Sequence, residues 1–127
     1  MKSEPPAVAG GYKSESAYAG IRYLIMAVDL TEKEFSRHLN STFQLKLEDH
    51  TLELKLVEVK SYMPGQNEQA GMERFSIYFD GPPDVPLPQK LYHLEHANMG
   101  GLDIFIVPIA GDEKTVRYEA VFNYFKK

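Results

Sequence analysis

Tyr92-His93-Leu94-Glu95-His96, Gly100-Gly101, Ile104-Phe105-Ile106-Val107-Pro108-Ile109 and Tyr118-Glu119-Ala120-Val121-Phe122-Asn123 follow one another between Leu87 and Asn123. Neighbouring side chains on a strand point to opposite faces, so short runs that mix apolar and polar residues at a period of two read as strands. Three are expected here, near Lys90 to His96, Leu102 to Ile109 and Thr115 to Phe125. A glycine pair and short polar links between them leave room only for turns.

The same period continues upstream. Phe43, Leu45 and Leu47 alternate with Gln44, Lys46 and Glu48, and after Asp49-His50 the residues Leu52, Leu54 and Leu56 alternate with Thr51, Glu53 and Lys55. Two such runs about a short polar turn predict a hairpin. Val57 and Val59 then break the phase, which predicts a bulge or a strand buried on both faces near Leu56 and Val57. Phe75, Ile77 and Phe79 mark the inward face of a third strand, and the four prolines between Asp80 and Pro88 make a stiff, extended connection. Met63 to Gly71 has no period and reads as a loop.

One helix precedes the strands. Thr31 caps it, Glu34 completes a capping box, Leu30 and Phe35 form a staple, and Phe35 and Leu39 are expected on one buried face. Asn40 suits the left-handed stop. The fold class that follows is mainly β: a small antiparallel six-stranded barrel or sandwich with one short N-terminal helix.

A chain of 127 residues suits one domain. Residues 1–25, rich in Ser, Gly, Pro and Ala, read as a flexible arm or, if Met26 is the start, as a mis-called beginning; residues 26–127 form a single β-rich domain. Without cysteine there is no disulfide, thiol nucleophile or thiolate metal site, in keeping with a reducing compartment. A net charge of −4, with basic and acidic residues interleaved, argues against nucleic acid. Ile21 to Val28 is too short to cross a membrane, and Glu4 and Glu15 stand where a signal peptide would be basic, so a cytoplasmic product is expected.

His93, Glu95 and His96 have the chemistry of metal ligands, but strand alternation sends His93 and Glu95 to one face and His96 to the other with Tyr92 and Leu94. No metal or other cofactor is therefore expected. His96 reads as a buried histidine bonded near Gly100-Gly101, and its functional alternative is a general base partnered by Glu119 or Tyr118. Gln89 is expected to lock the proline-rich connection, and Asn123 to hold the chain end. Tyr92, His96, Tyr118 and Glu119 around one end would make a small-ligand pocket. No phosphate loop, nucleophile elbow or zinc helix occurs, so no catalytic signature is read.

Apolar residues on both faces of the last strands are the stronger lead. Phe105, Val107 and Ile109, with Val121 and Phe125, need cover from the helix, the proline-rich connection or another chain. Pro108 cannot donate to a ladder, which puts its strand at an edge or a bulge. Phe105, Val107, Val121 and Phe125 are the expected interaction face.

The helix at Thr31 to Phe35, Ser41-Thr42-Phe43, Phe75-Ser76-Ile77 with Gly81-Pro82-Pro83, and the C-terminal run together resemble the bacterial family DUF6916 from Leu30 to Asn123. Members usually carry glycine where this chain has Asn40. The resemblance implies no defined activity, and it implies the company of phage-tail-like proteins. The expected function is a non-catalytic domain acting by contact with another protein or a second copy, in a phage-tail-like or surface assembly. A small-ligand-binding barrel and an acid–base enzyme using His96 with Glu119 are the alternatives.

Overall fold

The computed structural model describes residues 30–125, so the expected arm or alternative start lies outside the described residues. Its elements are α1 (Glu32–Ser36), β1 (Thr42–Lys46), β2 (Thr51–Ser61), α2 (Pro64–Ala70), β3 (Met72–Gly81), β4 (Lys90–His96), β5 (Gly100–Gly111) and β6 (Val116–Phe125). All strand pairs are antiparallel, and the order β1-β2-β3-β6-β5-β4 closes into a ring because β1 also pairs with β4. The fold is thus mainly β, a single ring-like sheet.

The inward rows are those the period of two marks: Phe43 and Leu45; Leu52, Leu54 and Leu56; Phe75, Ile77 and Phe79; Tyr92 and Leu94; Leu102, Ile104 and Ile106; Tyr118 and Ala120. All are buried. These side chains fill the ring, as the width of a small barrel requires. The register shifts between Leu56 and Glu58, which resolves the phase break as a bulge and not a strand buried on both faces, and again between Pro108 and Ala110, where proline lacks the N–H. Gly81 marks a close approach: a Cβ there would lie 2.6 Å from Leu54 Cδ2.

Thr31 Oγ1 accepts the Glu34 N–H at 3.1 Å, a cap that contributes about 1 kcal/mol. The Glu34 carboxylate turns to Arg37 (3.3 Å) and His38 (3.2 Å), outside the box geometry expected of it. Phe35 plugs one end of the ring, its centroid 5.4 Å from Phe122, 5.9 Å from Phe75 and 6.5 Å from Phe43. Leu39 does not share that face. The helix stops at Ser36, so the four-residue spacing no longer applies, and Leu39 is exposed. Asn40 takes the left-handed conformation, φ 70°, as expected of a stop residue.

A second helix, α2, stands where the sequence reads as a loop. It is a polar seven-residue turn without an apolar face, begun by Pro64 and ended by left-handed Gly71. Its anchor is the buried Asn67, whose Nδ2 donates to the Tyr62 carbonyl at 2.5 Å and the Arg74 carbonyl at 3.4 Å.

The ring has a seam. β5 meets β6 only through Val107–Gly111 and Val116–Glu119. Among the described residues, residues 100–106 of β5 pair with β4 alone, and residues 120–125 of β6 pair with β3 alone. Two strand edges therefore diverge near the end that Phe35 plugs.

Candidate functional site

His96 closes β4 with its side chain inward and buried. Its Nδ1 accepts the backbone N–H groups of Asn98 (3.0 Å) and Met99 (3.2 Å), so that nitrogen carries no proton. The hydrogen-bond network then puts the ring proton on Nε2, which donates to Ser41 Oγ at 2.8 Å, while the Ser41 hydroxyl donates to the His38 carbonyl. In this tautomer His96 cannot take a proton from Ser41, so the two are not a base and a nucleophile. Phe43 and His38 flank the ring, with centroids 4.4 Å and 4.7 Å away. Burial first, and the His38 charge second, hold the His96 pKa below its ordinary range.

Glu119 does not join His96. It follows inward Tyr118 on β6 and so points out, where Tyr78 donates its hydroxyl at 3.1 Å. Tyr78 is itself pushed up by a hydrogen bond with Tyr62, by burial and by Glu119. Tyr62 also shares a 2.8 Å hydrogen bond with Ser76, which is fully buried although it lies on the outer face. The expected pocket of Tyr92, His96, Tyr118 and Glu119 is therefore split by the sheet, with three members inside and one outside.

Gln89 does not lock the proline-rich connection; it is exposed. Two inward tyrosines do that work. Tyr118 OH accepts the Leu87 N–H at 2.9 Å, and Tyr92 OH donates to the Pro88 carbonyl at 2.8 Å. Burial, and then Tyr118, raise the Tyr92 pKa. Asn123 is likewise exposed, opposite Arg74 in the ladder, and does not tie down the chain end.

His93 lies outside with Glu95, as alternation requires. Its Nδ1 meets Asp103 at 2.8 Å and its Nε2 meets Glu95 at 3.3 Å. The hydrogen bond to Asp103 is the largest cause of its raised pKa, which burial opposes. The ring lies across Gly101, where a Cβ would come within 3.0 Å of it. On another part of the surface, a groove of about 150 Å³ between α2 and the start of β3 includes Ser61, Asn67, Glu73 and Arg74 in its lining.

The outer face of β4, β5 and β6 is the most distinctive surface. Leu91 and Phe105 are cross-strand partners and are 58% and 50% exposed; Val107 is half-buried opposite Glu119. One outward position beyond Glu119 on β6 stands Val121, 64% exposed, and two beyond that Phe125, 72% exposed. All four residues expected from sequence are outside. Leu91 was missed because its strand shows no other apolar residue on that face. α1 does not cover this surplus; Phe35 faces Phe43, Phe75 and Phe122.

His38, Ser41, Tyr62 and Tyr78 were also missed, since no local pattern announces contacts that cross from one strand to another. Among the described residues, no group of three or more His, Cys, Asp or Glu is arranged to hold a metal, and no helix is long and apolar enough to cross a membrane. No curated protein and no solved structure matches the chain. A family match spans residues 30–122, from just before α1 to Phe122 on β6. The chain belongs to the family described as a domain of unknown function, DUF6916.

Proposed function

We propose that this domain works by contact with another protein, through the outer face formed by Leu91, Phe105, Val107 and Val121. The observation that carries the reading is the exposure of Leu91 and its cross-strand partner Phe105, with Val121 and Phe125 also exposed on the outer side of β6. Monomeric proteins seldom leave such residues together in water, and a grouped apolar patch marks an interaction surface. Among the described residues, residues 100–106 of β5 pair on one side only, and such an edge adds backbone donors and acceptors that an incoming segment can use. An accessory place in a phage-tail-like or surface assembly is the setting we favour, from the resemblance alone.

The test is the double variant Phe105→Asp/Val121→Asp. Both side chains point outward, so folding is expected to survive. Pull-downs from the native host with wild-type and double-variant bait are compared, together with sedimentation velocity over a concentration series. Species that associate with the wild type are expected to be lost at least tenfold with the variant. Equal recovery by both baits, with both proteins monomeric, would overturn the reading.

A further inference from the structure

His96 is the one inward-facing, buried titratable imidazole in the ring, and its neighbours leave it a single way to gain a proton. Nε2–H is committed to Ser41, so the second proton must enter at Nδ1, the atom that accepts from Asn98 and Met99. Three N–H groups would then converge where a lone pair had been. A buried donor without an acceptor is unfavourable, and a buried charge more so.

Among the described residues, no facing group offsets that charge. From the segment after α1 comes His38, which would repel it once protonated. Glu34 on α1 lies behind His38, bonded to His38 and Arg37. β1 offers the ring of Phe43, and the turn before it the hydroxyl of Ser41, already donating to the His38 carbonyl. The β4–β5 turn presents the two backbone donors.

We propose that His96 is an acid-released latch: protonation at Nδ1 breaks the hydrogen bonds that hold the β4–β5 turn, and the turn opens with Met99. Met99 is 2% exposed and belongs to the core, so its release uncovers apolar surface at the end of the ring where β5 begins beside the seam. The latch stands whether or not the outer face meets a partner.

Direction follows from linkage. A pKa held below the ordinary value of about 6.5 means that the opened turn binds more protons than the closed one. Closure is complete above about pH 6.5 and weakens as the pH falls, with opening rising by up to about tenfold per pH unit until the closed form itself titrates. His93 works the other way: its raised pKa adds stability below about pH 6.5 that is lost as the pH rises through the folded value. A global melting curve would mix the two, so the readout must be local.

The experiment is amide hydrogen exchange by NMR between pH 7.5 and 5, corrected for intrinsic rates, on the full chain. In the wild type the protection of Asn98 and Met99 is expected to fall at least tenfold across this range, together with a His96 ring titration whose midpoint lies below the ordinary value of about 6.5. His96→Asn keeps an oxygen near the Nδ1 position to accept from the turn and cannot take the proton. Its Asn98 and Met99 protection is expected to be independent of pH. Flat protection in the wild type, an ordinary His96 midpoint, or the same fall in His96→Asn would each overturn the latch. Should the variant fail to fold, the wild-type measurements decide alone.

Discussion

Replacing Phe35 with alanine is expected to lower the unfolding free energy by about 3–5 kcal/mol. The ring is fully buried among Phe43, Phe75 and Phe122, so truncation removes apolar area and leaves a cavity that three other aromatic rings cannot easily fill. Phe35 is also the one buried residue of a five-residue helix, too short to persist without that contact. Against a typical stability of about 5–15 kcal/mol the loss leaves a marginal fold, and for a domain of about 100 residues Tm falls by more than about 12 °C. Phe35→Leu, closer in volume, should cost about 1.5 kcal/mol or less. Urea denaturation of both variants checks this; a loss below about 1 kcal/mol in the alanine variant would show that the plug is dispensable.

Tyr118→Phe is expected to cost about 1–3 kcal/mol, the penalty for leaving a buried donor without an acceptor. Leu87 carries the only backbone N–H in Pro86-Leu87-Pro88, and that N–H reaches the Tyr118 hydroxyl from inside the ring. Removing one oxygen atom keeps the packing and strands the donor. Tyr92→Phe removes the second tie, but the Pro88 carbonyl lies nearer the surface and water can replace the hydroxyl, so about 0.5–1.5 kcal/mol is expected. Urea midpoints at constant slope give the comparison. Tyr92→Phe proving the costlier change would mean that the connection is held from its outer side.

The period of two made the ring's inward rows legible, residue by residue, because burial on one face forces alternation. Both bulges were legible in part: the phase break at Leu56-Val57 left a two-sided strand open beside the bulge, and Pro108 left an edge open. α2 was not. It has no apolar stripe to read, and what holds it is one buried amide reaching carbonyls on β2 and β3. Leu39 was misread for a related reason: helix spacing applies only while the helix lasts. Around the candidate surfaces, alternation correctly separated His93 from His96 and put Phe105, Val107, Val121 and Phe125 outside. The same alternation separates Glu119, outside with Tyr78, from inward Tyr118. Gln89 failed differently, because polar chemistry at a connection says nothing about which side approaches it. The partners that do approach are tyrosines whose hydroxyls come from within.

The ring is closed by a slight joint. β1 meets β4 through three residue pairs, Gln44 with Glu95, Leu45 with Leu94 and Lys46 with His93, while β3 meets β6 through a ladder along its whole length. Both pairings bring together distant parts of the chain, so both carry a loop-closure entropy, yet the first gains far less contact in return. In time, this sets an order. Hairpins β1–β2 and β4–β5 are local and the β3–β6 ladder is long, which leaves β1 onto β4 as the last event in folding. Low φ values for the cross-strand contacts of β1 with β4, such as Lys46 with Glu95, beside higher ones on β3 and β6 would record that sequence, and high values at the β1–β4 contacts would reverse it.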